Sequence, residues 1–222
     1  MNNYDKIKNL LSSKKSSIKQ KDYAGKTFTA GYHALTIGGE TLEGQRNPAT
    51  RTNALDINFD DKVVLDIGCN AGGILFSIQD KVRYGIGVDY DYKIINFANK
   101  VVKAEKFNNL DFYTVDLDKD DFEVMNYYSD QEKKYDVIFL LAVCMWIKNW
   151  KELIHWTRRN CEVCVFETNG KPEQQQEQLL ELKAVYNSVQ LISNSADDGE
   201  YLKNKGKKKR KDHPLRKMYV CK

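Results

Sequence analysis

The run Val63-Val64-Leu65-Asp66-Ile67-Gly68-Cys69-Asn70-Ala71-Gly72-Gly73 holds the densest chemical signal in the chain. An apolar strand feeds a turn at Gly68, where the missing Cβ lets the backbone bend and come close to a ligand. Gly72 and Gly73 leave room for the next helix to pack tightly. The spacing is Gly-x-x-x-Gly, not the Gly-x-Gly-x-x-Gly of a dinucleotide fingerprint, and Asn70 stands where a pyrophosphate cradle needs glycine. Asp66 places a carboxylate just before the turn, which suits a cationic ligand better than a phosphorylated one. Asp89 follows about 20 residues after the loop, at the end of a second apolar run, where a carboxylate accepts hydrogen bonds from ribose hydroxyls. Taken alone, Asp89 also reads as a helix cap.

These groups need elements that deliver them to one edge. From Asp61 onward, strand-like segments (Lys62–Ile67, Gly85–Val88, Leu110–Val115, Asp136–Val143, Glu162–Phe166) alternate with helix-like ones (Gly73–Gln79, Tyr92–Glu105, Phe122–Tyr128, Trp150–Arg159, Pro172–Val185). In Tyr92–Glu105, Ile94, Ile95, Ala98, Val101 and Val102 share one side at helical spacing. Asp136–Val143 is almost wholly apolar, as in a central strand covered on both faces. The alternation predicts an α/β fold with a doubly wound, mostly parallel sheet. Val189–Ser193 and Lys217–Cys221 have no helix between them, so the seven-stranded sheet is expected to end in an antiparallel hairpin. Residues 1–55 differ: Gly25, Gly31, Gly38, Gly39 and Gly44 punctuate a polar stretch. This segment is expected to form a helix plus an irregular cap that binds the acceptor, folded over a core of residues 56–222 as one compact unit.

The Asp66–Gly73 loop resembles the first motif of class I S-adenosylmethionine-dependent methyltransferases, and further motifs arrive in that family's order between Asp61 and Val143. Val88-Asp89 ends the second strand, Val115-Asp116-Leu117 ends the third, and Tyr135-Asp136-Val137-Ile138-Phe139-Leu140-Leu141 resembles the fourth motif. The resemblance implies a Rossmann-like fold that binds S-adenosylmethionine and releases S-adenosylhomocysteine. It implies that Asp66, Gly68, Asn70 and Gly72 face the methionine part and that Asp89 holds the ribose, with Tyr90 beside it. Asp116 and Leu117 would border the adenine, and Ala142 would lie near the sulfonium. The stretch Gly31–Arg46 is also similar to stand-alone bacterial methyltransferases of surface-polysaccharide pathways, some of which modify sugars or their phosphate groups.

Methyl transfer requires an acceptor lone pair held in line with the methyl group, in a site drained of water. No Asp/Asn-Pro-Pro-Tyr motif follows the fourth strand; the chain continues Val143-Cys144-Met145-Trp146, which disfavours the amine and amide methylators that use that motif. Candidate acceptor residues are Arg46 and Arg51, which can clamp a carboxylate or phosphate with forked hydrogen bonds, and Trp146, which can stack on a ligand. Either arginine can equally hold the cofactor's carboxylate or form a surface salt bridge, and Trp146 can equally be core. His33 and Glu167 are candidate bases for a hydroxyl acceptor, with a structural His and a helix cap as their alternatives. A phosphate oxygen would need no base. Glu40 and Gln45 are further polar residues of the cap.

Composition bounds the setting. At 222 residues, 41% hydrophobic and 30% charged, the chain is long enough for a full core and lacks any apolar run of membrane-helix length or an apolar signal stretch, so a cytoplasmic protein with no membrane partner is expected. The five cysteines are an odd, scattered set, expected as buried free thiols with no metal; Cys161 and Cys164 have half a zinc-site spacing, but strand positions three apart point to opposite faces. Net charge is +4, with much of the excess in the run from Lys203 to Lys211, expected at the active-site mouth. A small anionic acceptor follows from that placement, and the resemblance to surface-polysaccharide methyltransferases implies a sugar or phosphorylated metabolite of capsular polysaccharide synthesis. RNA is the alternative acceptor, reading the basic runs as a phosphate-binding surface. A third reading is a cofactor-binding regulator without catalysis.

Overall fold

The computed structural model describes residues 2–12, 22–23, 26–129, 135–193 and 216–222. The basic run Lys203–Lys211, and with it the expectation about its position, lies outside the described residues.

Seven strands form the central sheet: β1 (Val63–Ile67), β2 (Tyr84–Asp89), β3 (Leu110–Thr114), β4 (Tyr135–Leu141), β5 (Cys161–Glu167), β6 (Val189–Ser193) and β7 (Met218–Cys221), in the order β6-β7-β5-β4-β1-β2-β3. Strands β1 to β5 run parallel, and β7 enters antiparallel between β5 and β6. The sheet is thus Rossmann-like and mostly parallel, ending in the expected antiparallel hairpin. Its centre is apolar throughout because both faces are covered. Val63, Leu65 and Ile67 join one core with Ile138 and Leu140, while Val64 joins the other with Val137 and Phe139. Alternating side chains along a strand go to opposite faces, so a strand buried on both sides reads as an unbroken apolar run.

The helices cover those faces. They are α1 (Asn3–Ser12), α2 (Pro48–Asn53), α3 (Gly73–Ser77), α4 (Tyr92–Glu105), α5 (Trp150–Asn160) and α6 (Pro172–Val185). Asp91 caps α4 by accepting from the Lys93 amide at 2.9 Å, and Pro172 stands in the first turn of α6, where its missing N–H costs nothing. The helix expected at Phe122–Tyr128 is present as a 3-10 helix. Its three-residue repeat aligns Phe122, Met125 and Tyr128 in one row against the core, which a 3.6-residue turn would splay.

Among its described residues, the N-terminal segment holds strand pairs as well as the expected helix. Strands Leu35–Ile37 and Glu40–Leu42 form a hairpin whose turn residues, Gly38 and Gly39, have φ of +57° and +81°. That pair of left-handed residues is the tight hairpin turn that glycine permits. A second small hairpin pairs Asp22–Tyr23 with Lys26–Thr27. Ile7, Leu11, Leu35, Ile37 and Leu42 bury themselves with Phe97 and Val101 of α4, and the Gly38 amide donates to Glu105 Oε2 at 2.9 Å. The cap therefore has a core of its own, welded to α4.

Among the cysteines, one expectation is corrected. Cys161 and Cys164 do not diverge; both thiols approach the Tyr186 hydroxyl, and both pack with the same core. Cys161 is both the C-cap of α5 and the first residue of β5, so it lies at the strand's very end, where Tyr186 following α6 reaches both thiols. All five cysteines are free thiols, and burial raises the pKa of each. No helix among the described residues is long and apolar enough to cross a membrane.

Candidate functional site

The carboxyl ends of β1, β2, β4 and β5 meet beneath the N-terminal cap. After β1 the chain turns at Gly68, whose φ is +75°. A Cβ there would lie 2.3 Å from Val143 Cγ1, so only glycine lets the loop pass the turn that follows β4. The Gly68 and Cys69 amides both donate to the Val88 carbonyl, at 2.8 and 3.0 Å, which ties the loop to β2. Asn70 has φ of +51°: it takes the left-handed conformation that Asn tolerates better than most residues, and so does conformationally what a glycine would do. Gly72 (φ +79°) lies under Phe112, and the first helical residue, Gly73, lies under His33, each too close for a side chain.

Two carboxylates flank this loop. Asp89 is half-buried and aimed by two amides, Asn70 N to Oδ2 and Asp91 N to Oδ1, both at 3.0 Å. Burial raises its pKa, and those bonds hold it down. Asp66 is fully buried, and its Oδ2 has no hydrogen-bond partner among the described residues. Burial, with the charge of Asp89 added, pushes the Asp66 carboxyl up to about 7, against the pull of Arg51. A concave glycine turn between two such carboxyls is complementary to a cation that carries hydroxyls.

The remaining residues expected around a cofactor fall into three groups. Tyr90 follows Asp89 and is 74% exposed, projecting from the rim. Asp116 organises a turn: its Oδ2 accepts from Lys119 Nζ at 2.6 Å and its Oδ1 from the Asp118 amide, and the lysine draws its pKa down. Leu117 packs against the core beside it. Ala142, with φ of +59°, ends β4 in a left-handed turn held by two bonds: its N–H donates to the Glu167 carbonyl at 2.9 Å, and its carbonyl accepts from Asn169 Nδ2 at 2.6 Å. Asn169 also accepts from the Met145 amide and is locked by Gln178, so it shapes the whole turn after β4. Sequence reasoning missed it; its only trace is the Asn169-Gly170 pair just beyond a strand end, a turn signature. Trp146, on that turn, is 72% exposed, so it is not a core residue.

The cap supplies the other wall. Glu167, at the end of β5, is 3% exposed and collects three arginines. Its Oε2 pairs with Arg51 Nη2 at 2.7 Å, and its Oε1 faces Arg216 Nη1 at 3.4 Å and Arg46 Nη1 at 3.6 Å. Glu167 is thus an ion-pair hub rather than a helix cap, and Arg46 and Arg51 are buried, not surface salt-bridge partners. Tyr32 completes the group: Arg216 donates to its hydroxyl, Arg46 lies over its ring at 5.1 Å, and burial raises its pKa. His33 is buried beside it, with neither ring nitrogen bonded among the described residues. Burial and the neighbouring Arg51 lower its pKa to about 3, so the ring is neutral. Tyr32 and Arg216 were not singled out from the sequence, since a tyrosine in a polar stretch and an arginine after a basic run carry no distinguishing pattern.

Comparisons with known proteins agree with this arrangement. The sequence profile of a family described as a methyltransferase domain matches residues 42–201. No curated protein matches the chain. Among solved structures, the N-terminal domain of EvdMO1 in the presence of SAH and D-fucose superposes with a TM-score of 0.63 at 11% identity, covering 100% of this chain and 97% of that one. YcgJ from Bacillus subtilis gives 0.55 at 13% identity, covering 78% of this chain and 94% of its own. WbdD, solved with a kinase inhibitor, gives 0.60 at 14% identity over 81% of this chain, which spans 42% of WbdD. At these identities the likeness is one of fold.

Proposed function

This chain belongs to the methyltransferase domain family, and on that premise we propose that it methylates a small anionic acceptor, a sugar or sugar phosphate of the kind built into bacterial surface polysaccharide. The donor is S-adenosylmethionine. The residues present fit it: the unpartnered Asp66 oxygen and the glycine turn suit its cationic methionine end, and the aimed Asp89 carboxylate suits its ribose. Asn70 and Gly72 shape the same turn, Tyr90, Asp116 and Leu117 are assigned to the adenosine end, and Ala142 to the point where the reacting groups meet. When bound, the donor supplies an electrophilic methyl group and leaves as S-adenosylhomocysteine.

One observation carries the anionic acceptor: Arg46, Arg51 and Arg216 converge on a single buried carboxylate at this mouth. Three guanidiniums face Glu167, and the charge of Arg51 also reaches Asp66. A carboxylate or phosphate brought beside guanidiniums is held by charge-assisted, forked hydrogen bonds. An acidic acceptor held there is positioned and dehydrated in one step, and positioning of this kind supplies several kcal/mol of a barrier. The D-fucose in the EvdMO1 crystals is support for a sugar as the carrier of that group.

The chain's own residues then divide the work. Both Glu167 oxygens already face guanidiniums, so we assign Glu167 to holding the arginines. His33 is the base if a hydroxyl is methylated: its ring is neutral, and neither nitrogen has a hydrogen-bond partner among the described residues. A weak base suffices, because a hydroxyl oxygen gaining a methyl group becomes strongly acidic as the bond forms. The N-terminal 55 residues act as the acceptor-binding segment, with Trp146 as an exposed stacking platform opposite. The test is turnover: matched neutral and phosphorylated monosaccharides are incubated with protein and S-adenosylmethionine, and release of S-adenosylhomocysteine is measured. Turnover of the anionic members alone is expected; turnover confined to the neutral ones ends the reading.

A further inference from the structure

A cleft of about 240 Å³ opens at the carboxyl edge of the sheet, between the turn after β4 and the start of α6. Met145 and Lys148 of that turn line it, with Trp150 at the start of α5 and Gln174, Glu177 and Gln178 from the first two turns of α6. It shares its floor with the acceptor side of the site. Gln178 Nε2 donates to the Asn169 carbonyl at 3.0 Å, and the Asn169 side chain holds both the Met145 amide and the Ala142 carbonyl. Ala142 is the residue assigned above to the meeting point of the reacting groups. One turn thus joins that point to the cleft.

The chemistry of the lining excludes most ligands. Lys148 and Glu177 put both signs of charge in it, so the cleft gathers neither anions nor cations. An apolar chain would strip water from the amides and charges without replacing its hydrogen bonds. A neutral ring with hydroxyls at its rim and C–H groups on its faces meets both conditions, since Trp150 and Met145 supply apolar surface beside the polar groups. Pockets for drug-sized ligands run from about 300 Å³ upward, so this smaller one suits a single sugar ring. Its walls are set before a ligand arrives. Lys151 pairs with Glu177 at 3.0 Å and lies over the Trp150 ring at 5.4 Å. The Lys148 amide donates to Asp118 Oδ1 at 2.8 Å, and Gln174 Oε1 accepts from the Lys171 amide at the same distance.

We propose that this cleft binds the second sugar ring of the acceptor, so that the enzyme acts on a disaccharide or longer glycan whose modified, anionic unit sits at Ala142. Trp146, exposed on the same turn, is the surface that the glycan crosses. This rests on the methyl-transfer reading above and adds the length of the acceptor to it.

Two measurements on the full chain test it. Initial rates are compared for glucose 1-phosphate, maltose 1-phosphate and lactose 1-phosphate, with S-adenosylmethionine as donor. Separately, the indole N–H signals of the three tryptophans are followed by NMR as maltose or lactose is added to protein saturated with S-adenosylhomocysteine. KM for at least one disaccharide phosphate should lie about fivefold to tenfold below that for glucose 1-phosphate, the worth of one or two net hydrogen bonds. The Trp150 signal should shift saturably. Gln174→Ala and Glu177→Ala should each cut the ratio of disaccharide to monosaccharide kcat/KM about threefold or more. Because that ratio is read within each variant, a partial loss of folded protein does not alter it. Equal KM for all three phosphates, a silent Trp150, or an unchanged ratio in both variants overturns the cleft, and turnover of glucose 1-phosphate in the same assay would leave the reading of the site intact. A saturable Trp150 response without turnover of any sugar phosphate upholds the cleft as a sugar site and instead sinks the acceptor reading.

Discussion

The two walls of the site are built on different principles. The wall under the glycine turn is made of backbone: positive-φ residues at Gly68, Asn70 and Gly72, amides that aim Asp89, and a loop pinned to β2. All of it comes from a span of some two dozen residues. The wall under the cap is made of side chains, with Tyr32, His33, Arg46, Arg51, Glu167 and Arg216 gathered from both ends of the chain around one buried carboxylate. A backbone pocket tolerates few changes of shape and recognises a ligand that does not vary. A side-chain pocket can be rewritten one residue at a time, which suits the partner that differs between related enzymes.

The contrast can be broken most severely at its side-chain end. Glu167→Gln keeps the shape but removes the buried charge that three guanidiniums share, so unfolding by denaturant should show a loss of about 3–5 kcal/mol. If the variant is as stable as wild type, the cluster is not a charge-balanced unit. Gly68→Ala attacks the backbone wall. A Cβ 2.3 Å from Val143 Cγ1, on a residue with φ of +75°, must move the turn. We expect a cost of about 2–4 kcal/mol by chemical denaturation and loss of S-adenosylhomocysteine binding by calorimetry.

Titration separates the walls more gently. Asp66 has its carboxyl pKa raised from 3.8 to about 7, so between those values the folded state keeps a proton that the unfolded state has lost, and stability falls as pH rises. His33 is lowered from 6.5 to about 3, so there the unfolded state holds the extra proton, and stability rises with pH. The two slopes oppose each other across about pH 4 to 6.5. Melting temperature should therefore rise with pH over that window in Asp66→Asn and fall in His33→Gln, with the wild type flatter than either. Identical profiles in all three would mean that neither group is held as described. The smallest effect is expected at Trp146→Ala. The side chain is 72% exposed, so stability should stay within about 0.5 kcal/mol, while KM for the acceptor rises several-fold.

Much of the backbone wall was readable beforehand. The strand runs, the glycine turn, and Asp89 at the end of the second strand all follow from local rules: apolar period, the φ that glycine permits, and the length of one strand-helix-strand unit. Asn70 is instructive, since its type looked like a defect in a phosphate loop and turned out to supply a left-handed residue. The helix at Phe122–Tyr128 was legible but its 3-10 geometry was not, and the shared surroundings of Cys161 and Cys164 run against strand alternation.

By itself the sequence determined the sheet, its hairpin ending and the donor-side turn, because those are set by interactions between residues close along the chain. Only the tertiary structure decided the acceptor side. Arg216 reaches Glu167 because β7 inserts antiparallel beside β5 in one particular register, and Arg46 and Arg51 reach it because the cap docks on α4 and brings its arginines over the sheet's edge. Charges brought together from residues 46 to 216 have no spacing that a linear pattern can reveal, since their meeting is fixed by the packing of apolar surfaces elsewhere.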